Sequence, residues 1–319
     1  MTQSTPESLK VAVLAGGLSH ERDVSIRSGR RVADALRSTG VQVRVFDVDA
    51  SLIPALQDYA PDLVWPLLHG STGEDGSLRD VLELLGLPYV GTDPRVSRIA
   101  WGKPLAKTVV SQAGIATPRF VTLAQSLFSE LGAMTLISAI GDQLGFPLFV
   151  KPARGGSALG VSKVKSVEEL PNALVTAFSY DENAIIERAI SGTEVAVSII
   201  EQDGEARALP GVEVRTEGDY DYDARYNPGR TEYFAPARLS SEQTVAVADA
   251  ALAVHRVLGL RHLSRIDLIL DDDGVPNLID VNVAPGMTET SLLPQAAEAA
   301  GYDLGELYLK VVREALANQ

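Results

Sequence analysis

The first part of the chain alternates between strand and helix patterns, and this alternation restricts the fold more than any other feature. Residues 11–15 form a short apolar run that ends at Gly16-Gly17, as a buried strand does. A helix pattern then extends to Gly40, and two strand patterns and a second helix pattern follow, over 41–45, 63–68 and 78–85. We therefore predict an N-terminal α/β unit, a Rossmann-like parallel sheet with helices on its faces.

Beyond Trp101 the pattern changes from α/β to α+β. One helix is expected through Lys107 and another over 127–144, followed by a strand, a glycine-rich loop and a second strand over 149–161. After Ser191, alternating strand patterns precede helices that include residues 304–315. We predict three units, with these boundaries: 1–100, 101–190 and 191–319.

Composition excludes several classes of protein. The chain has no cysteine, which rules out disulfides, thiolate catalysis and thiolate metal sites. Its formal net charge of -14 argues against a general nucleic-acid binder, because such proteins present a clustered basic surface. No apolar run reaches the roughly 18–20 residues that cross a bilayer, and the N-terminus lacks the pattern of a signal peptide. We expect a cytoplasmic protein without membrane insertion.

Two carboxylates near the C-terminus are predicted to face each other across a hairpin. Residues 264–270 and 276–282 have strand patterns, and Asp273-Gly274 between them is typical of a two-residue type I′ turn. With these two residues at the centre of the turn, Asp267 lies directly opposite Asp280.

The same register places Arg265 opposite Asn282 and on the same face of the hairpin, with Ile279 on the core-facing side. Opposed carboxylates repel each other unless a positive charge lies between them. Magnesium prefers hard oxygen ligands from one or two carboxylates, together with substrate phosphates. The hairpin therefore predicts a magnesium site formed by Asp267 and Asp280, to which Asn282 adds a neutral oxygen.

A glycine-rich loop over 155–160 has the exposed backbone N–H groups of a phosphate-binding cover. It is not a Walker A loop, because Val161-Ser162 follows it and the nearby lysine, Lys151, precedes it. Lys151 and Arg154 so close to this loop favour contact with phosphate. Further along, the N–H groups of residues 283–291 are candidates for stabilising an oxyanion.

Six motifs, in this order, resemble the D-alanine–D-alanine ligases of the ATP-grasp superfamily; they span residues 16–29, 68–76, 151–157, 220–226, 265–267 and 280–288. The resemblance implies a three-domain fold in which two domains clasp ATP. It also implies that a D-alanine carboxylate attacks the γ-phosphate of ATP, and that the amine of a second D-alanine attacks the resulting acyl phosphate. The product, D-alanyl-D-alanine, would serve peptidoglycan synthesis, and the enzyme would be a homodimer.

For the first D-alanine, the resemblance implies that Glu21 binds the ammonium group. Ser157 and Tyr226, linked to Glu21, would orient this substrate and close a loop over it. His69 and Glu74 would support the wall of the substrate site. Tyr226 also implies a dipeptide product and not a D-alanyl-D-lactate ester.

For the second D-alanine, the resemblance implies that Ser291 takes the carboxylate. Arg265 and the N–H group of Gly286 would stabilise the tetrahedral oxyanion that forms when the second amine attacks.

For ATP, the resemblance implies that Lys103 and Lys151 hold the phosphates, whereas Glu187 and Glu194 lie toward the nucleoside. Where the family usually has a lysine before the loop tyrosine, this chain has Arg225. Arginine is a planar fork and not a point charge, so its contact with the γ-phosphate is expected to have a different geometry.

For the metal, the resemblance implies that Asp267, Asp280 and Asn282 hold two Mg²⁺ ions, for which Mn²⁺ can substitute. The family usually has glutamate where this chain has Asp280. The shorter side chain reduces the reach needed to bridge two ions.

Two other functions are compatible with these motifs: an ATP-grasp ligase for a different amino-acid pair, as in antibiotic biosynthesis or resistance, and a nucleotide-binding regulatory protein with impaired catalysis. Retention of Arg265, Asp267 and Asn282 argues against the second. A dinucleotide-dependent oxidoreductase is disfavoured, because Gly16-Gly17 is not followed by the G-x-G-x-x-G pattern.

Overall fold

The computed structural model describes residues 9–216 and 231–317, and within these ranges the chain forms three β-sheets with helices packed against them. No helix in the described ranges has both the length and the apolar composition needed to span a bilayer. Two residues with predicted roles, Arg225 and Tyr226, lie outside the described residues.

The N-terminal sheet has the predicted parallel arrangement. Its strands are β1 (Lys10–Leu14), β2 (Gln42–Phe46) and β3 (Leu63–Pro66), in the spatial order β2-β1-β3. The accompanying helices are α1 (Arg22–Ser38), α2 (Leu52–Tyr59), α3 (Ser71–Glu74) and α4 (Ser77–Leu84). Parallel strands need crossover connections, which α1 and α2 supply. The loops after β1 and β3 therefore leave the same edge of the sheet, where ligands usually bind in such folds.

The middle sheet is antiparallel, in the order β4-β7-β5-β6, and its strands are β4 (Phe120–Ala124), β5 (Leu148–Pro152), β6 (Ser162–Val164) and β7 (Asn183–Arg188). Helix α9 (Leu170–Phe178) packs on it.

The single helix predicted over 127–144 is wrong, because the segment forms two helices, α7 (Gln125–Leu131) and α8 (Ala133–Leu144). Gly132, with φ of 80°, separates them in a conformation that a helix cannot contain.

The third sheet follows the order β11-β10-β8-β12-β13 along the described strands, with β9 also paired to β8. Its strands are β8 (Gly192–Gln202), β9 (Glu205–Ala208), β10 (Val212–Thr216), β11 (Thr231–Phe234), β12 (Leu263–Asp271) and β13 (Pro276–Asn282). Five further helices complete the described fold: α5 (Pro94–Trp101), α6 (Lys103–Gln112), α10 (Ser241–Leu258), α11 (Leu292–Ala299) and α12 (Leu304–Ala317).

One hydrophobic core joins the two ends of the chain. Trp65 of β3 packs edge to face against Tyr308 of α12, with ring centroids 5.5 Å apart, and both side chains are buried. A second core lies between α10 and the third sheet, and it includes Ala100 and Val110 from α5 and α6. These two cores bring the ligand-binding edge of the N-terminal sheet next to the β12–β13 hairpin.

The turn of this hairpin differs from the predicted two-residue type I′ turn. The Asp271 N–H donates to the Val275 carbonyl (3.1 Å) and the Gly274 N–H donates to the Asp271 carbonyl (2.9 Å), so that three residues, 272–274, form the loop. Gly274 has φ of 78°, as the last residue of a three-residue hairpin loop requires. The Asp271 carboxylate also accepts a hydrogen bond from the Val275 N–H (2.8 Å), which favours the longer turn.

A β-bulge compensates for the longer turn. Leu268 lies opposite Leu278, one residue away from the predicted register, whereas Asp267 lies opposite Asp280 as predicted. Ile279 is the additional residue, and it lines a cleft on the same side as Asp280 and not the core, contrary to prediction. The predicted turn is one residue too short, and the predicted strand lacks the bulge. These two errors cancel, so the predicted pairing of the two carboxylates is nevertheless correct.

Candidate active site

A cleft lies between the middle and third sheets, and we call it the sheet cleft. It encloses about 910 Å³, including the part open to solvent. Six of the residues predicted to bind ATP or metal line it: Lys103, Lys151, Glu187, Glu194, Asp267 and Asp280. Apolar side chains, among them Phe149 and Ile269, line the same cleft. A planar base and a chain of phosphates would therefore both find complementary surfaces there.

The two facing carboxylates of the hairpin are each bound to a cation. Asp267 accepts hydrogen bonds from Nε (2.7 Å) and Nη2 (2.8 Å) of Arg265. Lys103 Nζ lies 2.9 Å from both carboxylate oxygens of Asp280. These two ion pairs offset the repulsion between the carboxylates that their opposed positions would otherwise cause.

The oxygen atoms of Asp267, Asp280 and Asn282 suit a hard divalent cation such as Mg²⁺. Within the described ranges, no group of three or more His, Cys, Asp or Glu side chains is close enough to hold a metal ion. A metal at the hairpin would therefore depend on the two carboxylates, the Asn282 amide oxygen and oxygens supplied by a bound phosphate. In this structure the Asn282 amide oxygen accepts a hydrogen bond from the Ala284 N–H (2.9 Å).

Glu187 of β7 is buried between two lysines. Lys151 of β5 contacts one carboxylate oxygen, and Lys107 Nζ lies 3.0 Å from the other. Burial by itself would raise the pKa of Glu187, but the two lysines outweigh it and lower this pKa. Lys107 was missed at the level of sequence. Its spacing of four residues from Lys103 on α6 places both on one helix face, which is the signal that was available.

A second pocket, which we call the inner pocket, adjoins the sheet cleft at Gly156. It collects residues from both ends of the chain that were predicted to bind the amino-acid substrates: Glu21, His69, Glu74, Ser157, Arg265, Gly286 and Ser291. Asn282 lines it as well. Glu21 follows β1 and His69 follows β3, so the parallel sheet brings these two side chains together.

One end of the inner pocket is acidic. The Ser157 hydroxyl donates to the Glu21 carboxylate, and both side chains are buried. Burial and the nearby Glu21 raise the pKa of Glu74 to about 8, and the Gly70 N–H donates to its carboxylate at 2.8 Å. Ser157 has φ of 52°, a strained conformation for a non-glycine residue that is common at functional sites. This end of the pocket suits an ammonium group.

His69 lies beside this acidic end. Burial lowers the pKa of its imidazole, which keeps the ring neutral at physiological pH. Within the described ranges its Nε2 atom has no hydrogen-bond partner, although the atom is buried. A polar ligand in the inner pocket would satisfy it.

The opposite end of the inner pocket presents hydrogen-bond donors. Ser291 Oγ accepts from the Thr288 N–H (2.9 Å) and lies 2.8 Å from Thr288 Oγ1. Gly286 has no room for a side chain, since a Cβ atom there would lie 2.7 Å from Ser291 Oγ. Arg265 lines the same pocket and contributes the guanidinium group. An amino-acid carboxylate is the group that this end would bind.

Comparison with known proteins finds relatives that match most of the chain. The family model described as D-ala D-ala ligase C-terminus matches residues 109–313. Over 305 residues, the chain is 43% identical to the D-alanine--D-alanine ligase of Nitrosospira multiformis, which covers 95% of each chain. Over 309 residues it is 38% identical to the D-alanine--D-alanine ligase of Moorella thermoacetica, which covers 97% of this chain and 99% of the relative.

Solved structures show the same likeness. The D-alanine--D-alanine ligase of Bacillus anthracis superposes with a TM-score of 0.84 at 33% identity, over 97% of this chain and 98% of that one. The same ligase complexed with ATP gives a TM-score of 0.82 at 31% identity, over 97% of this chain and 98% of that one. The VanG D-Ala:D-Ser ligase of Enterococcus faecalis gives 0.83 at 29% identity, over 96% of this chain and 99% of that one.

Proposed function

Because this chain belongs to the D-alanine–D-alanine ligase family and has its ATP-grasp fold, we propose that it joins two D-alanine molecules at the expense of ATP. The product, D-alanyl-D-alanine, is a precursor for peptidoglycan synthesis. One observation carries the proposal: an inner pocket with an acidic and a donor-rich end adjoins, at Gly156, a cleft lined by lysines and paired carboxylates.

The first step activates a carboxylate. A carboxylate oxygen of the first D-alanine attacks the γ-phosphorus of ATP, the bond to the β,γ-bridging oxygen breaks, and ADP leaves with both electrons of that bond. Lys103 and Lys151 lie in the sheet cleft, where their ammonium groups would offset the charge of the phosphates. The buried Glu187 carboxylate, which also contacts Lys107, binds Lys151 and holds it in place.

The first D-alanine would bind through its ammonium group to Glu21. Ser157 donates to the Glu21 carboxylate and so fixes its orientation. Since both side chains are buried, the ion pair with the substrate would form in a low-dielectric environment, where electrostatic attraction is strong. His69 would offer to the same substrate its Nε2 atom, which has no hydrogen-bond partner among the described residues.

The second step forms the peptide bond. The deprotonated amine of the second D-alanine attacks the acyl-phosphate carbon and a tetrahedral oxyanion forms. The bond from this carbon to the phosphate oxygen then breaks, and inorganic phosphate leaves with its electrons and with the proton that the amine gives up. We assign stabilisation of the oxyanion to Arg265 and the Gly286 N–H, and the second carboxylate to Ser291. All three line the inner pocket.

Metal ions would be held by Asp267, Asp280 and Asn282, whose oxygens fit a divalent cation. We propose two Mg²⁺ ions, replaceable by Mn²⁺. When bound, such ions would neutralise charge that develops on the transferred phosphoryl group. The Lys103 ammonium already neutralises Asp280 at this position, so metal binding would require it to move toward phosphate.

We further propose the division predicted from the sequence: a substrate-binding domain over 1–100, a central domain over 101–190 and a catalytic, metal-binding domain over 191–319. Homodimer formation remains part of the proposal. So does a cytoplasmic location, because ATP, the co-substrate, is supplied there.

A product assay tests the proposal. Purified protein with D-alanine, ATP and Mg²⁺ should release ADP and phosphate and form a dipeptide of the mass of D-alanyl-D-alanine. The VanG likeness favours one second candidate, ligation of D-alanine to D-serine, so both amino acids belong in the same panel. Absence of D-alanine-dependent ADP release would refute the proposal, whereas preferential use of D-serine or another amino acid would replace D-alanine as the second substrate.

A further inference from the structure

Lys107 has a second set of contacts at the outer edge of β13, the edge that does not pair with β12. Its Nζ donates to the Leu278 carbonyl (3.0 Å) and to Thr117 Oγ1 (3.1 Å), and the Thr117 hydroxyl donates to the same carbonyl (2.8 Å). The Leu278 N–H donates to the Ala116 carbonyl at 2.8 Å. Both backbone groups of Leu278 are thus bound from outside the β12–β13 ladder.

Leu278 is the residue at which the hairpin changes register. It lies opposite Leu268, whereas the next paired residue, Asp280, lies opposite Asp267, so the additional residue of the bulge, Ile279, follows Leu278 directly. Among the described strands β13 is the outer strand of its sheet, where register is not held by a second neighbouring strand.

The alternative register would destroy the metal site. Without the bulge, Ile279 would lie opposite Asp267, and Asp280 would lie opposite Ile266, a fully buried core residue. A one-residue slip moves every side chain to the other face of a strand, so the Asp280 carboxylate would leave the sheet cleft.

We propose that Lys107 and Thr117 are positioning residues: by binding the Leu278 backbone they fix the bulge at Ile279 and hold Asp280 in the sheet cleft. The inference rests on the metal role proposed above for Asp280. Lys107 has a side-chain exposure of 2%, so water has little access to replace its ammonium at the Leu278 carbonyl. The same ammonium contacts Glu187, which contacts Lys151, so one buried cation connects the metal hairpin with a phosphate-binding lysine.

The variant Thr117→Val tests the inference without changing any charge, because valine has nearly the shape of threonine but donates no hydrogen bond. Lys107→Met removes the second donor but also leaves Glu187 with one cation fewer, so it serves as a stronger but less specific change. Thr108→Val is the matched control, since Thr108 is an exposed residue of α6 whose hydroxyl donates within the helix, to the Pro104 carbonyl (2.7 Å).

Two measurements report on the hairpin without requiring turnover. The first is Mn²⁺ affinity by electron paramagnetic resonance, in the presence of the β,γ-imido analogue of ATP. The second is the rate of backbone hydrogen exchange of residues 276–282. We expect Thr117→Val to weaken Mn²⁺ binding about tenfold, a usual effect of losing a group that supports a metal ligand, and to speed exchange in β13. Thr108→Val should change neither.

Unchanged Mn²⁺ affinity and unchanged exchange in a folded Thr117→Val protein would overturn the inference, whatever happens to Lys107→Met. Dipeptide formation by the wild type is measured in parallel. Its absence would refute the proposed reaction alone, because the effect of Thr117→Val on Mn²⁺ affinity and exchange is read without catalysis.

Discussion

Asp267 and Asp280 lie directly opposite each other on β12 and β13, and each carboxylate is bound by a different cation. Arg265 holds Asp267 through two hydrogen bonds from the same strand, whereas Lys103 reaches Asp280 from α6. The pair is therefore ready to accept a cation between its carboxylates only if Lys103 moves away. Metal binding is therefore coupled to the position of Lys103, the lysine that we propose binds a phosphate of ATP.

The variant Asp267→Asn should leave the fold intact and reduce turnover by more than about 100-fold. Loss of a group that merely supports a metal ligand typically costs about 10–100-fold, and loss of the ligand itself should exceed that. Steady-state release of ADP measures the effect, and circular dichroism reports the fold. Asp272→Asn, an exposed turn residue five positions on, is the control and should behave as wild type. Normal turnover in Asp267→Asn would remove Asp267 from its catalytic role.

The variant Glu74→Gln should change how stability depends on pH. Burial and nearby Glu21 raise the pKa of Glu74 from 4.5 to about 8, so the folded protein keeps a proton that the unfolded chain releases. This stabilisation is complete below pH 4.5 and is lost as pH rises toward 8. Glutamine does not titrate, so the free energy of unfolding of the wild type, relative to the variant, should fall by up to about 1.4 kcal/mol per pH unit in this window.

Urea unfolding of both proteins at about pH 5.5 and about pH 7.5 checks this expectation. A difference between wild type and Glu74→Gln that stays constant with pH would show that Glu74 is ionised in the folded protein at both values.

The variant Gly286→Ala should weaken use of the second D-alanine. A Cβ atom at this position would lie 2.7 Å from Ser291 Oγ, so Ser291 would have to move. Displacement of a binding group by about 1 Å can reduce the rate about 100-fold. We expect kcat/KM for the second substrate to fall by about 10- to 100-fold.

A double-mutant cycle isolates the steric cause. If Gly286→Ala acts by displacing Ser291, the double variant Gly286→Ala/Ser291→Ala should be no worse than Ser291→Ala alone, because the two changes act on one contact. Additive losses would show that Gly286 acts independently of Ser291.

The variant Trp65→Ala should lower the free energy of unfolding by about 3–5 kcal/mol, the usual range for a buried aromatic residue replaced by alanine. Trp65 packs on Tyr308 and thereby joins the N-terminal sheet to α12. Chemical denaturation measures the loss. Tyr180→Ala, at an exposed tyrosine, is the control and should change stability by less than about 0.5 kcal/mol.

The architecture was largely predictable because its signals are local. The apolar run over 11–15 and the helix pattern that follows it correspond to β1 and α1, and the parallel pairing of β1 with β3 follows from the crossover that α2 completes. The exception is Gly132. The helix pattern over 127–144 continues through this glycine, but in the structure one helix ends and the next begins there.

The family's motifs predicted residues that the fold brings together in the sheet cleft and the inner pocket, but they did not predict the contacts between those residues. Lys107 was missed because its partners, Glu187 and the Leu278 carbonyl, lie 80 and 171 positions away in sequence. The four-residue spacing from Lys103 indicates only that both lysines share one face of α6, and it does not show that Lys107 is buried against a carboxylate.

The sequence by itself determined which residue types were available to the site: two carboxylates and an amide on a hairpin, a lysine before a glycine-rich loop, and a glutamate after the first strand. The sequence also predicted that Asp267 and Asp280 face each other, but only the tertiary structure decided how this pairing arises. The three-residue turn would have placed Asp280 on the opposite face, and the bulge at Ile279 returns it to the cleft. A bulge depends on backbone groups that need partners, and those partners come from Ala116, Thr117 and Lys107, which are brought to β13 by packing that no local pattern specifies.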